Sequence, residues 1–361
     1  MLFKKIFIKF LEKRYDPNRV EKFENIESIL IRPLGYAIGD ATVHTAHIKQ
    51  LREIFPNALI GVIVERDNHI IFESSGLVDK YVNKNILSLL KNRKKWDLLI
   101  DFENNFTSSS LLLDRILMPK KIMIFSKKFK KSYNLNNIKA YDIYSPQEVT
   151  TPLSHYLSNS VLNQYYVIPK PQSTLHVSPK EYAYAQSFWQ QSKIRILLCP
   201  HGSKRELPVT ELAELLIKTG NNLQNTCDLS KEVCFLIGYT PTAPTYCENL
   251  KAIIEGDNIN VSPKTSLTEY IALIKSADIV IAVDGGSLHL ACACEKPLLS
   301  FFANSRPNLD TWQPLVSPTV PHKRLISLHK ENTYSNNTCN FDMNLGAEWL
   351  TQQIIKHLEN K

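Results

Sequence analysis

The sequence predicts an α/β protein made of two parallel-sheet domains in series, facing each other across a cleft. Three observations lead there. Short apolar, β-rich runs alternate with helical stretches along most of the chain, the pattern of parallel sheets covered on both faces. The alternation stops over residues 149–178, where Pro152, Pro169 and Pro171 break the periodicity, and then restarts. At 361 residues the chain is too long for one average core and suits two of ordinary size. The expected domains are residues 1–165 and 175–335, each Rossmann-like. A closing helix over 345–361 could pack back on the first domain.

In the first domain, strands are expected at residues 28–32, 58–64, 96–101 and 121–125, with helices at 41–55 and 108–117. In the second, strands are expected at 195–199, 233–237, 259–261, 279–283 and 298–302. Helices should fill the gaps at 209–219, 245–254, 267–276 and 288–293, and a last one at 345–359. Ser266 followed by Glu269 reads as a capping box for the helix at 267–276. In such folds ligands gather at the carboxyl ends of the strands.

Composition narrows the class. Apolar residues make up 43% of the chain and charged residues 22%, ordinary values for a globular protein. No apolar run approaches the roughly 20 residues that cross a bilayer. The seven cysteines are scattered with no CxxC pair, which favours reduced thiols over a disulfide frame or a zinc site. Cys292 and Cys294, flanking Ala293 in an apolar stretch, read as core fillers.

The net charge of +8 is concentrated in one half. Residues 1–165 hold 25 Lys and Arg against 17 Asp and Glu, whereas residues 166–361 hold 18 of each. That asymmetry points to a polyanionic partner for the first half, with a solvated lysine-rich surface as the alternative. Residues 1–14 place Leu2, Phe3, Ile6, Phe7, Phe10 and Leu11 at helical spacing among lysines, as in a helix lying on an anionic membrane. The other basic segments are 91–95 and 120–131. Neither interleaves aromatics as a single-strand stacking platform does, so membrane phosphates are expected and nucleic acid is not.

Three segments could carry chemistry. In residues 279–302 an apolar strand ends at Asp284, and Gly285, Gly286 and Ser287 then open a helix bearing His289. Glycines let a ligand approach the backbone, and the amides of a helix start suit a phosphate. Ser287 would add a hydroxyl and cap the helix; a plain strand-to-helix turn is the alternative. In residues 197–208 a strand runs into His201, Gly202 and Ser203, then Lys204 and Arg205, cations able to neutralise a departing diphosphate or simply to lie in a solvated loop. In residues 28–56 a strand leads through Gly35 and Gly39 to Asp40 at a helix start. There a carboxylate could accept a proton from a hydroxyl, or serve only as a cap. The helix start should hold it charged and so weaken it as a base. There is no GxGxxG, Walker lysine motif, HExxH, DxD or Cys/His cluster, so neither a metal nor a cofactor is expected.

Together these segments resemble glycosyltransferase family 9, the ADP-heptose:lipopolysaccharide heptosyltransferases, over about residues 28–307. DGGSLHLA at 284–291 is similar to the family's D-[ST]-G-x-x-H-[LI]-A, with Gly285 in place of the hydroxyl residue. LGYAIGDATVH at 34–44 resembles a spread-out LGD…VH, with Tyr36, Ala37 and Ile38 inserted, and WDLLIDFENN at 96–105 resembles a family strand ending in aspartate. The resemblance implies a GT-B fold and an inverting, metal-independent transfer from a nucleotide sugar, ADP-heptose. The acceptor would be the anionic lipopolysaccharide inner core, at the cytoplasmic face of the bacterial inner membrane.

The general base would be Asp40. Counting back from Leu207-Pro208, where the family has Trp-Pro, gives Arg205 the diphosphate-binding role, with Lys204 beside it. Gly202, Ser203, Thr265, Asp284, Gly285, Gly286, Ser287 and His289 would line the donor. Gly39, His44, Lys127 and Lys128 would meet the acceptor. The acid expected soon after Gly238 for the ribose is missing. A related transferase using another nucleotide sugar, or a non-catalytic carbohydrate- or membrane-binding relative, remain the alternatives.

Overall fold

The computed structural model describes residues 2–12, 23–190, 193–254, 258–333 and 338–359, and for residues 2–5 the backbone alone. Lys13 and Arg14 of the amino-terminal basic segment lie outside it. The chain divides into two compact units, residues 1–173 and 174–361.

The first unit runs α1 (Leu2–Leu11), β1 (Ser28–Arg32), α2 (Ile38–Ile54), β2 (Leu59–Val64), α3 (Asn68–Ser75), β3 (Lys80–Asn83), α4 (Ile86–Lys91), β4 (Leu98–Asp101), α5 (Ser108–Leu117), β5 (Lys121–Ile124) and β6 (Ile143–Tyr144). Its six strands order as β3-β2-β1-β4-β5-β6, with every pairing parallel. The central strands β1 and β4 are buried because both faces carry helices, which is why they read as unbroken apolar runs. Register matters for function: Arg32 at the end of β1 stands opposite Asp101 at the end of β4.

The second unit repeats the scheme with α6 (Pro179–Gln186), β7 (Ile194–Cys199), α7 (Val209–Leu223), α8 (Leu229–Glu232), β8 (Val233–Ile237), α9 (Ala243–Ile254) and β9 (Ile259–Val261). There follow α10 (Leu267–Ser276), β10 (Ile279–Val283), α11 (Gly286–Ala293), β11 (Leu298–Phe302), α12 (Asn308–Thr311), β12 (His322–Ile326) and α13 (Met343–Glu359). The parallel order β12-β11-β10-β7-β8-β9 sets β7 and β10 side by side at its centre. The loops that follow these two strands therefore emerge next to each other. The capping box of α10 is formed: Ser266 N–H donates to Glu269 Oε2 at 2.7 Å, and Glu269 N–H to Ser266 Oγ at 3.3 Å.

The closing helix corrects one expectation. Instead of serving the first unit's core, it supplies that of the second: Met343, Ala347, Leu350 and Ile354 are buried there, against α7 and β12. Their spacing of four, three and four residues makes one apolar stripe, and α7 offers the matching face. No disulfide joins the cysteines. Burial pushes the Cys292 and Cys294 thiols up to about 12 and about 11, as inert core fillers require.

Candidate active site

In the first unit the site is built where β1 and β4 end. Asp40 is not the cap of α2 but its third residue; Ala37 is the cap, and its N–H donates to Asp40 Oδ2 at 3.0 Å. Gly35 explains how the carboxylate comes to be covered. Its φ of 76° is left-handed, and a Cβ there would lie 2.0 Å from Asp40 Oδ2. Only glycine lets the loop lie across the acid. Burial then pushes the Asp40 carboxyl up to about 6, against the pull of the Ala37 and Tyr36 amides and with help from nearby Glu103. The expectation of a helix-start aspartate held charged and weakened is thus reversed, because desolvation outweighs the amides.

His44 lies one turn further along α2 and is fully buried, with no path to an acceptor. The Leu34 N–H donates to its Nε2 at 2.8 Å, so Nδ1 carries the proton. That proton points at His47 Nδ1, 3.0 Å away, and His47 Nε2 donates to the Leu153 carbonyl at 2.9 Å. Burial holds both rings neutral: His44 falls well below the usual range and His47 falls to about 3. His44 therefore pins the Leu34 end of the loop over Asp40. Gly39 is buried in the first turn of α2.

The two lysines expected to meet an acceptor part company. Lys127 is an interior group, its side chain 2% exposed, donating to Asp101 Oδ2 at 2.6 Å. It also donates to the Glu103 carbonyl. Arg32 approaches the same carboxylate at 3.4 Å. Burial alone would raise the Asp101 carboxyl, but Arg32 and Lys127 hold it below its usual range. Lys127 serves as counter-ion to a buried acid and is not a surface contact. Lys128 is exposed, with Nζ 3.4 Å from Asn105 Oδ1.

In the second unit the loops after β7 and β10 meet. Gly202 N–H donates to the Arg205 carbonyl at 2.7 Å, closing a tight turn with Ser203 and Lys204 exposed at its tip. A Cβ on Gly202 would lie 3.1 Å from the Asp284 carbonyl, so glycine lets the two loops touch. Arg205 turns inward and binds Asp284 Oδ2 at 3.1 Å, and Asn308 Nδ2 donates to the same oxygen at 2.7 Å. Burial still raises the Asp284 carboxyl above its usual value despite both partners. Arg205, expected to stand ready for a diphosphate, is thus tied to Asp284.

Gly285 caps α11 without any side-chain hydrogen bond. Ser287 does not cap it; the hydroxyl instead hydrogen-bonds Tyr270 Oη at 2.8 Å. Among the described residues no side chain caps the amides that open α11, an arrangement that suits an anion. Beside this helix start is a cavity of about 350 Å³ lined in part by His201, Gly238, Thr240, Thr265, Tyr270 and Ser287. His289 lies beneath, buried with no hydrogen-bond partner for Nδ1 among the described residues, its ring edge-on to Trp312 and its basicity lowered to about 4 by burial.

Sequence reading missed two polar residues here. Tyr270 hydrogen-bonds Cys199 Sγ at 3.3 Å as well as Ser287, and its hydroxyl would lie 2.9 Å from a Cβ on Gly238. Gly238 is the signal that something must cross it. Asn308 lies beyond the motif, and no periodicity marks it.

Residues 88–337 match glycosyltransferase family 9 (heptosyltransferase). The match takes in every second-unit site residue described above, together with Asp101, Lys127 and Lys128 of the first unit; Asp40 precedes it. Among curated proteins, the chain is 25% identical to lipopolysaccharide core heptosyltransferase OpsX of Haemophilus influenzae, covering 82% of this chain and 83% of that protein. It is 26% identical to lipopolysaccharide heptosyltransferase 1 of Campylobacter coli, covering 63% and 67%. Among solved structures, a family 9 glycosyl transferase from Veillonella parvula superposes with TM-score 0.70 at 14% identity, over 93% of this chain and all of that one (100%). The E. coli ADP-heptose lps heptosyltransferase II gives 0.67 at 15% identity, over 92% and 99%. These structures share the GT-B fold of two parallel-sheet halves. With more than half of its length matched, the chain belongs to glycosyltransferase family 9 and is a glycosyltransferase.

Proposed function

We propose that this enzyme transfers a heptose from ADP-heptose to the anionic inner core of lipopolysaccharide, with inversion and without a metal. In this reading Asp40 takes the proton from an acceptor hydroxyl as its oxygen attacks the anomeric carbon. The bond from that carbon to the diphosphate breaks on the opposite face, and ADP leaves. The observation that carries the reading is the Asp40 carboxyl itself: fixed on a helix, desolvated, and pushed up to about 6. Such a group is still mostly ionised at neutral pH, yet is a better proton acceptor than an exposed aspartate.

The leaving diphosphate would meet the uncapped start of α11 and the exposed Lys204. Arg205 would contribute once the arriving phosphates compete with Asp284 for its guanidinium. The nucleoside would enter the cavity beside Tyr270 and Thr265. The names of the curated relatives support the choice of heptose and lipopolysaccharide core. The excess of basic residues in the first unit supports an acidic acceptor and contact with the cytoplasmic face of the inner membrane.

Thermal shift with ADP, UDP and GDP tests the donor, since a ligand bound only to the native state raises its melting temperature. ADP should stabilise most; a larger shift with UDP or GDP would overturn ADP-heptose in favour of another nucleotide sugar. Mass spectrometry of the lipopolysaccharide core from a strain lacking the protein tests sugar and acceptor together. A core short of one heptose is expected, and an unchanged core would refute the assignment.

A further inference from the structure

We propose that α4, with the outward sides of α5 and α1, forms a docking surface that inserts shallowly into an anionic lipid bilayer. This deepens the membrane contact proposed above and rests on it. In α4 only Leu89 is buried; Ile86, Leu87 and Leu90 are 63%, 73% and 49% exposed. Three large aliphatic side chains turned to water on a six-residue helix are not needed for the core, which Leu89 alone serves.

The surroundings say what kind of partner suits them. Lys91 ends α4 and Arg93, Lys94 and Lys95 follow it, all exposed. The loop is fixed to α5: Arg93 donates to the carbonyls of Arg115 and Ile116 at 3.0 and 2.9 Å, and Lys94 N–H donates to Leu117 O at 2.7 Å. Arg115 continues the chain of contacts to α1, donating to the Glu12 carbonyl at 3.0 Å and standing 5.1 Å over the Phe10 ring. Phe10 is itself exposed, as are Phe7 and Ile6 on α1 and Leu112 on α5. Apolar side chains on three elements are thus held together within one lysine- and arginine-fringed surface.

Aliphatic and aromatic groups fringed by lysine fit the boundary between acyl chains and anionic headgroups, where apolar burial and charge attraction add. A protein partner fits less well, because lysine is depleted from protein interfaces. The charge complementarity is general to this unit, which carries the chain's whole positive excess.

The test is flotation of the full-length protein with vesicles of phosphatidylglycerol and phosphatidylethanolamine, compared with phosphatidylcholine alone. Wild type should float with the anionic vesicles only. Leu87→Glu with Leu90→Glu should weaken binding about tenfold, and Lys94→Ala with Lys95→Ala should do so in a salt-sensitive manner. Both pairs are exposed, and a melting curve confirms that each variant is folded; Leu87→Ser alone is the milder substitute. Wild-type flotation that neither pair diminishes would overturn this surface while leaving membrane contact standing. Absence of wild-type flotation would overturn both. Loss of a dimer in light scattering, with flotation unchanged, would show that a second copy covers the patch and would also overturn the inference.

Discussion

Asp40 and Gly35 work as a unit at the residue scale. The glycine lets the loop cross the acid, and the resulting desolvation is what lifts the carboxyl to about 6. Two consequences follow for pH. Activity limited by the basic form should rise as pH passes through about 6 and level off above it, read from kcat/KM against pH. The native state also holds this proton more tightly than the unfolded chain, so stability is lost as pH rises from the ordinary 3.8 towards 6. Asp40→Asn keeps an acceptor for Ala37 N–H but cannot ionise. It should therefore be more stable than wild type by about 1–3 kcal/mol at pH 8 and no more stable at pH 3.5, measured by urea unfolding. Gly285 offers a contrasting test. Its φ of 171° is extended backbone, and a Cβ there would sit 3.4 Å from Gly202 Cα, an ordinary contact. Gly285→Ser should fold normally and, by restoring a hydroxyl at the start of α11, lower the KM for donor about two- to fivefold. A raised KM with intact folding would mean that this position does not face the phosphates.

Element by element, most of the strands that sequence revealed are those buried on both faces. The runs at 233–237, 279–283 and 298–302 coincide with β8, β10 and β11, because a central parallel strand can be apolar throughout. Of the edge strands only β9, at 259–261, carries such a mark. KYVN of β3 and HKRLI of β12 mix charged with apolar residues at partly exposed positions and give no strand signal, and β6 is two residues long. The site divides in the same way. Asp40 and the Gly285–Ser287 turn were legible because glycine and a helix start have local signatures. The inward turns of Lys127 and His44 were not, since burial of a polar side chain depends on partners such as Asp101 and Leu34 that are distant in sequence or only backbone. Packing makes its own prediction in β2. A Cβ on Gly61 would lie 2.2 Å from the Trp96 ring, so Gly61→Ala should cost about 2–4 kcal/mol in urea unfolding. Gly220→Ala, in α7 with nothing within 4 Å, should instead gain about 0.5–1 kcal/mol.

For the molecule as a whole, each unit has its own task. The first carries the buried histidine pair, the raised acid and the entire positive excess; the second carries the uncapped helix start and the cavity beside it. The histidine pair ties global stability to pH. Both rings are neutral when native and accept protons more readily when unfolded, so stability should fall as pH drops below 6.5, by up to about 1.4 kcal/mol per pH unit for each ring. Urea midpoints that stay level between pH 4 and 6.5 would contradict this. The central claim, that a family 9 transferase uses Asp40 as its base, is tested most directly by comparing wild type with Asp40→Asn. Both transfer to a lipopolysaccharide-core acceptor and the affinity for ADP-heptose are measured at pH 8. The account predicts a loss of transfer of at least about a thousandfold with donor affinity within about twofold of wild type. Transfer at the wild-type rate by a folded Asp40→Asn protein would contradict it.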